Sequence, residues 1–533
     1  MKHLIADVLV VLSFVYPGNG AVAGTTKGDF DVTYYRLDLR FLPEDKAIAG
    51  RVDLEALAND DIREVALDLA DTLQVDTTFL DGRSTQFIRT GNKLILAAKP
   101  EIKSGSRFAV TVEYHGTPKR PGLVFTMHDN KPEIVSYGLP FTARLWWPCK
   151  DTPSDKADSA DIFFTVPSDL VAVSNGTLVS KTTSNNGTAT SHWRVSYPIY
   201  PDVISIAAAD YARFSLPYRY GGGNELMNLE FYVFPEDIDK AKIDFDVLPQ
   251  ILRFYSGLFG EYPFITEKYG LVEFSIQSFR EHQTIPSIGA RMITGDHANE
   301  WVIAHDLAHQ WFGNSVSLQS WKDIWLNEGF SSFASWLWLE HSKGTAALDS
   351  LLGETGNSPL NGPVLINDTT SFGKLFSEDT FVKGAWVLRM LQHVVGDECF
   401  FASIKSYLKE FRYKNCSTEE FEHVVERNYG RPLNWFFDEW LGGTGRPEYK
   451  SNWRTIEREG KTFADVHVSQ VQDSTRLFTM PLDIELRCTG GKKILTVMNG
   501  KKETDYEFPV TEDLTTVAVD PGKWILKTPF NPK

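Results

Sequence analysis

Residues His305–His309 read H-D-L-A-H, and the eighteen residues 310–327 separate them from Glu328. Histidines four positions apart lie on one face of a helix, so the imidazoles of His305 and His309 can reach one metal ion. A catalytic zinc site needs a third protein ligand and an open fourth position. A second helix returning antiparallel to the first could bring Glu328 to that ion. We therefore predict a zinc site of His305, His309 and Glu328, with Asp323 as a hydrogen-bond partner of a ligand histidine.

The apolar pattern changes twice along the chain around this motif. Apolar and polar residues alternate in Tyr35–Phe41 and Val65–Leu69, which predicts β structure for roughly the first two hundred residues. Apolar residues then fall at helical spacing in Phe245–Tyr255, and helical patterns continue to about Leu441. Alternation returns in Leu482–Cys488, after a glycine-rich break. The predicted fold class is multidomain α+β.

Length and composition are those of a folded protein with several domains. The chain has 533 residues, more than one compact domain usually holds, and it is 42% hydrophobic and 23% charged. Its formal net charge is −16, and no basic run offsets it. This charge argues against nucleic acid as a partner.

The N-terminus has the pattern of a secretory signal peptide. Lys2 precedes the apolar stretch Leu4–Tyr16, and Ala21–Ala23 offers a small-x-small cleavage site. The alternative is a membrane anchor, but the stretch is short for a bilayer and Asp7 interrupts it. We expect cleavage near Ala23, a secreted or periplasmic mature chain, and no membrane span in that chain.

The four cysteines lie far apart, with neither zinc-knuckle spacing nor a dense disulfide framework. An exported chain could form a disulfide between Cys399 and Cys416. The sequence alone does not decide whether it does.

Three stretches together resemble the gluzincin aminopeptidases, the family of aminopeptidase N and the leukotriene hydrolase. Ala143–Asp151 reads A-R-L-W-W-P-C-K-D, similar to the family's A-R-x-W-x-P-C-x-D. His305–Glu328 resembles the zinc motif H-E-x-x-H, eighteen residues, then E. Phe381–Ala385 reads F-V-K-G-A, similar to Y-x-K-G-A at the start of a helix. The resemblance covers nearly the whole mature chain and is nearest to secreted bacterial members with three domains.

The resemblance implies an architecture and a cofactor. The expected domains are a signal peptide at 1–23, an N-terminal β-saddle domain at 24–215, a thermolysin-like, mainly helical zinc domain at 216–442, and a C-terminal β-sandwich at 443–533. The expected cofactor is one Zn²⁺ per chain. The expected partner is a peptide or small-molecule substrate, while the oligomeric state stays open.

Two positions that the family uses in catalysis differ in this chain. Asp306 stands where the family has the glutamate that takes a proton from the zinc-polarised water. Its carboxylate is one methylene shorter, and a retreat of about an ångström can cost about a hundredfold in rate unless a water bridges the gap. Phe381 stands where a tyrosine donates to the developing oxyanion, and losing such a donor costs about a hundred- to a thousandfold.

The substrate loop also differs. Gln277–Thr284 reads Q-S-F-R-E-H-Q-T, where the family has G-x-M-E-N or G-G-M-E-H-Q-T. Glu281, which the resemblance implies holds the peptide's free amine, is retained. Phe279 replaces a glycine and is expected to narrow the cleft. Arg280 replaces the methionine, with three alternatives: an ion pair with Glu281, binding of an anionic substrate, or exposure to solvent.

Two functional hypotheses follow. The first is a zinc hydrolase with weak peptidase activity or with a changed substrate, including a non-peptide one, in which Asp306 is the base and residues 279–281 select the substrate. The alternative is a catalytically inactive zinc-containing homologue that binds peptides or a protein partner.

Overall fold

The computed structural model describes residues 29–370, 372–473 and 475–528. The predicted signal peptide and its cleavage site near Ala23 lie outside these ranges. No helix within them combines the length and apolar character required to cross a membrane.

The described part of the first two hundred residues forms β structure, as the sequence predicts, and further strands follow along the chain. Their bounds are β1 Phe30–Leu42, β2 Ala47–Ala58, β3 Ile62–Asp68, β4 Leu73–Leu80, β5 Arg83–Ser84, β6 Phe87–Thr90, β7 Lys93–Ile102, β8 Arg107–Gly116, β9 Leu123–His128, β10 Lys131–Ser136, β11 Ser159–Pro167, β12 Val171–Ser174, β13 Thr177–Thr183, β14 Thr188–Val195, β15 Ile206–Ala209, β16 Ala212–Tyr220, β17 Glu225–Val233, β18 Tyr269–Phe274, β19 Phe279–Arg280, β20 Ser287–Gly289, β21 Ser317–Leu318, β22 Asn415–Cys416, β23 Tyr449–Arg458, β24 Lys461–Gln470, β25 Met480–Cys488, β26 Gly491–Asn499, β27 Glu503–Val510 and β28 Leu514–Val519.

The α-helices lie between β17 and β23, where the sequence predicts helical spacing. Their bounds are α1 Ile238–Asp244, α2 Leu248–Phe259, α3 Glu300–Ala308, α4 Trp325–Lys343, α5 Thr345–Gly356, α6 Phe372–Leu375, α7 Gly384–Val395, α8 Asp397–Glu410, α9 Thr418–Tyr429 and α10 Asn434–Trp440. The predicted order of a β-rich N-terminal part, a helical part and a C-terminal β-sheet part is confirmed. The domain bounds themselves stay predictions.

The chain forms two compact units. Among the described residues, the first contains the chain up to Trp321 together with Leu408–Ser417. The second contains Lys322–Tyr407 and the chain from Thr418 onward.

The first unit is built on sheets. An eight-stranded sheet has the order β13-β14-β11-β1-β2-β8-β4-β5, and a five-stranded sheet has the order β16-β17-β18-β20-β19. In β1 the apolar side chains Tyr35, Leu37 and Leu39 are buried while Asp38 and Arg40 are exposed, because successive side chains of a strand point to opposite faces. The short strand β19 lies at the end of the five-stranded sheet and belongs to the predicted substrate loop.

Aromatic packing positions the helix that carries the histidine pair. The buried residues of α2 recur at helical spacing, and its Tyr255 hydroxyl donates to the carbonyl of Ala304 in α3 at 3.1 Å. Trp311, just beyond α3, meets the rings of Tyr255 and Phe259 edge-on at 6.0 and 6.3 Å. The side chains of Val302–Ala308 are all buried, so α3 is a core helix whose polar residues face the interior.

In the second unit, two three-stranded sheets with the orders β23-β24-β27 and β26-β25-β28 form the C-terminal β region. Helices α4 and α7 of this unit cross at two glycines. A Cβ built on Gly384 would lie 3.0 Å from the Cα of Gly329, and one on Gly329 would lie 3.1 Å from Gly384. This close approach sets the distance between the helix that carries Glu328 and the one that follows Phe381.

We expect Gly384→Val to destabilise the protein by about 1–3 kcal/mol, because the added methyl groups would force the helices apart. Gly257→Val is the matched control, since Gly257 is exposed on α2 and a Cβ there meets nothing within 4 Å. Surface substitutions of that kind usually stay within about 0.5 kcal/mol. Denaturant unfolding measures both, and equal stabilities of the two variants would contradict the packing argument.

The cysteines form no disulfide in the described residues. None of Cys149, Cys399, Cys416 and Cys488 is bridged to another cysteine. The pairing of Cys399 with Cys416 that the sequence left open is therefore not made.

Candidate metal centre and substrate loop

The histidine pair converges at the end of α3. His305 lies in its last turn and His309 directly follows it, both buried. Their Nε2 atoms are 3.0 Å apart. Two nitrogens bound to one tetrahedral zinc ion at its usual bond length are about 3.3 Å apart. The pair is therefore arranged as two ligands of one ion would be.

A backbone carbonyl orients one of these imidazoles. Nδ1 of His309 lies 3.2 Å from the carbonyl oxygen of Phe312, to which it can donate only as an N–H. This contact leaves the lone pair on Nε2, the nitrogen that faces His305, as a metal ligand requires. The carbonyl of Phe312 thus orients His309. The role of Asp323 as a partner of a ligand histidine stays a prediction. Asp323 accepts hydrogen bonds from the backbone N–H and hydroxyl of Thr418.

Glu328 completes a group of three metal-binding side chains. It lies in the first turn of α4 and is buried. One ligand atom from each of His305, His309 and Glu328 lies within 4.8 Å of the other two. Two imidazoles and one carboxylate are a donor set of catalytic zinc sites, so the residues present fit Zn²⁺.

Asp306 is fully buried on α3 beside the histidine pair. It follows His305 by one position, so its side chain leaves the helix about 100° away from that imidazole. The Tyr269 hydroxyl is close enough for the charge of Asp306 to act on it, since burial and then Asp306 raise the pKa of Tyr269 well above its ordinary value.

Phe381 lies in a π-helical turn, Asp379–Lys383, directly before α7. The side chain is buried, and its ring centroid lies 6.2 Å from that of Phe376. Lys383 fixes the turn by donating from Nζ to the carbonyls of Gly362 and Gly443, and burial lowers the pKa of this ammonium to about 8. Single π turns in helices are frequent at functional sites. The sequence indicated a helix start here but not the π turn.

The substrate loop begins beside the histidine pair. In β19, Arg280 pairs with Ser287 of β20, and the ring of Phe279 meets that of His305 edge-on at 5.9 Å. The added phenyl group therefore contacts a predicted metal ligand, consistent with the predicted narrowing. Glu281 follows, with its side chain largely buried and its carbonyl accepting a hydrogen bond from Asn314 Nδ2 at 2.8 Å.

Gln310 and Asn314 hold the loop against the histidine helix, and the sequence analysis missed both. Gln310 accepts from the backbone N–H of Thr284 at 2.9 Å and donates to the carbonyl of His282 at 3.2 Å. Both side chains are buried. Their position within five residues of His309, on either side of Trp311–Gly313, was the available signal.

Arg280 is buried, so the solvent-exposed alternative is wrong. Its guanidinium carbon lies 3.7 Å above the ring centroid of Tyr137, and Nη1 donates to the carbonyl of Phe279 at 2.7 Å. Nε and Nη2 have no hydrogen-bond partner among the described residues. Arg280 therefore makes no hydrogen-bonded ion pair with Glu281 through these nitrogens.

Comparison with known proteins identifies the family. The sequence model of the peptidase M1 N-terminal domain matches residues 32–199, and that of the peptidase family M1 domain matches 273–440. Glutamyl aminopeptidase of Rattus norvegicus is 23% identical over 513 residues, which are 88% of this chain and 53% of the relative. Aminopeptidase M1 of Arabidopsis thaliana is 29% identical over 358 residues, 60% of this chain and 38% of the relative. The chain thus spans about half or less of these relatives' length.

Solved structures share the fold. The M1 zinc metallopeptidase of Deinococcus radiodurans has a TM-score of 0.70 at 24% identity and covers 79% of this chain and 95% of its own. Legionella pneumophila aminopeptidase A, in complex with aspartic acid, has a TM-score of 0.84 at 16% identity and covers 96% of this chain and 60% of its own.

The family implies a Zn²⁺ cofactor, and the predicted His305–His309–Glu328 group is present in the structure. The matched domains cover the N-terminal β region and the helical region around this group. The order of motifs, the architecture and the donor set agree, and the chain belongs to peptidase family M1, the zinc aminopeptidases.

Proposed function

We propose that this chain is a zinc metallohydrolase of the aminopeptidase N type with weak peptidase activity or a changed substrate, including a non-peptide one. The observation that carries the proposal is the buried group of two imidazoles and one carboxylate, within 4.8 Å of one another, beside a rewritten substrate loop. His305, His309 and Glu328 would hold the ion. Bound Zn²⁺ would supply Lewis acidity and activation of water.

Residues outside the metal group are proposed to take the proton of the attacking water and to position the substrate. Asp306 is the proposed base, taking the proton of the attacking water with a carboxylate one methylene shorter than glutamate. Phe381 has no hydroxyl, so the developing oxyanion loses one donor at that position. Glu281 is proposed to hold the free amine of a peptide, and Phe279 narrows the cleft next to His305.

The alternative function is an inactive zinc-containing homologue that binds peptides or a protein partner. Asp306 and Phe381 favour it, because both differ from groups that act only in catalysis. The three residues of the metal group are retained while these two are changed, which is compatible with a structural role for the ion.

We also propose export of the chain to the periplasm or the medium after cleavage near Ala23. The basic residue, apolar stretch and small-residue cleavage site at the N-terminus support this.

Turnover of aminoacyl-anilides by the purified protein tests the proposed activity. We expect slow hydrolysis that a chelator abolishes and that added Zn²⁺ restores. The variant His305→Gln should lose this activity, while His467→Gln, a control histidine of β24 that pairs with Asp505 at 2.7 Å, should keep it. Absence of turnover in a preparation with about one zinc per chain would favour the inactive alternative.

A further inference from the structure

Arg280 carries a buried charge whose hydrogen-bonding capacity is only partly used. The residue is 8% exposed. Its Nη1 is occupied by the carbonyl of Phe279, while Nε and Nη2 are unpartnered among the described residues. A buried guanidinium without an acceptor is costly, because its N–H groups lose their water and gain nothing in return. The arrangement points to an acceptor that binds there.

The two unpartnered nitrogens form one side of the guanidinium. Nε–H and Nη2–H run parallel, and this fork matches the two oxygens of a carboxylate. The ring of Tyr137 and the carbonyl of Phe279 fix the plane and the rotation of the group. In Arg389 of the same chain, the corresponding pair of nitrogens has acceptors. Its guanidinium stacks on Trp524, and its Nε and Nη2 donate to the carbonyls of Lys523 and Gly522 at 3.0 and 2.9 Å.

His282, which is close in sequence to Arg280, does not provide Arg280 with an anionic acceptor. His282 is buried, and its Nδ1 lies 3.2 Å from the Ser287 hydroxyl. Burial, and then the charge of Arg280, lower the pKa of His282 to about 3, so it is neutral at physiological pH. Its Nε2 is also unpartnered among the described residues and lies near Gly138. His282 is thus neutral and offers no negative charge to the two unpartnered nitrogens of Arg280.

Arg280 belongs to the proposed substrate loop. In sequence it follows Phe279, whose ring meets that of His305, and precedes Glu281, the proposed amine-binding residue. We propose that Arg280 binds a carboxylate of the substrate, so that the preferred substrates have an N-terminal aspartate or glutamate. This inference rests on the proposed function, in which the same loop receives the N-terminal residue.

Kinetics with matched substrates test the specificity. The probes are glutamyl-, aspartyl-, alanyl- and leucyl-anilides. We expect the protein to favour the two acidic substrates, and Arg280→Met to lower kcat/KM for them by about 10- to 100-fold, chiefly through KM, with little change for the neutral ones. Methionine is the residue that the family motif has at this position, so the variant should fold. Arg280→Lys should be intermediate, because it keeps the charge without the fork.

Arg36→Met is the control variant, since Arg36 also stacks on a ring, that of Phe163 at 4.1 Å, but lies on the surface of β1. It should leave the substrate preference unchanged. Equal loss by Arg280→Met on all four substrates, or no preference for acidic substrates in the unmodified protein, would overturn the inference.

Calorimetric binding separates this inference from the proposed activity. We expect glutamate and aspartate to bind the zinc-loaded protein more tightly than alanine, and Arg280→Met to remove the difference. If that holds while no substrate is turned over, the carboxylate site stands and the proposed activity fails. If turnover is present but acetate and chloride compete as well as glutamate does, the site is a general anion site and the inference is wrong.

Discussion

Asp306→Glu combined with Phe381→Tyr should raise kcat/KM for aminoacyl-anilides by roughly ten-thousandfold, judged from the separate costs of a displaced base and a missing oxyanion donor. The longer carboxylate would reach the attacking water directly, and the tyrosine hydroxyl would donate to charge that develops only in the transition state. Such a donor changes kcat rather than KM. The two gains need not multiply, because groups that act as a unit are non-additive.

The two single variants and one control variant show which substitution accounts for the gain in kcat/KM. Asp306→Glu alone should gain about a hundredfold and Phe381→Tyr alone about a hundred- to a thousandfold. Phe376→Tyr adds the same hydroxyl to the ring that contacts Phe381 and should gain nothing. Asp306→Asn should remove whatever turnover the unmodified chain has, if Asp306 is its base. A double variant as slow as the unmodified protein would rule out the weakened-peptidase hypothesis.

The metal group was predictable because its signals are local or regularly spaced. His305 and His309 face the same way through helix geometry alone. Glu328 followed from the fixed interval in a family motif, and the structure brings it within 4.8 Å of both histidines. The strand alternation of β1 likewise predicted its buried face.

The surroundings of Arg280 were not predictable. Tyr137, on which it stacks, lies far away in sequence, and no periodicity connects them. Most arginines are exposed, so the residue type favoured the solvent-exposed alternative for Arg280, which is wrong. The π turn at Asp379–Lys383 was not predictable either. Lys383 is held there by the carbonyls of Gly362 and Gly443, which are distant in sequence and come close only through tertiary packing.

Glu328→Gln should abolish stoichiometric zinc binding, since a neutral amide is a much poorer zinc ligand than a carboxylate and only two imidazoles would remain. The unmodified protein should retain about one zinc per chain after dialysis. Zinc at a thousandfold excess over its Kd should stabilise it by about 4 kcal/mol, an increment that the variant should lack.

Glu340→Gln is the matched control for this loss, because Glu340 lies on the same helix α4 near its exposed end and accepts a hydrogen bond from Thr345. It should bind zinc and unfold as the unmodified protein does. Metal analysis and thermal unfolding with and without zinc measure both quantities. If Glu328→Gln kept full zinc content and the full zinc-dependent stabilisation, Glu328 would not be a ligand. The proposed hydrolase would then lack the centre from which its chemistry is derived.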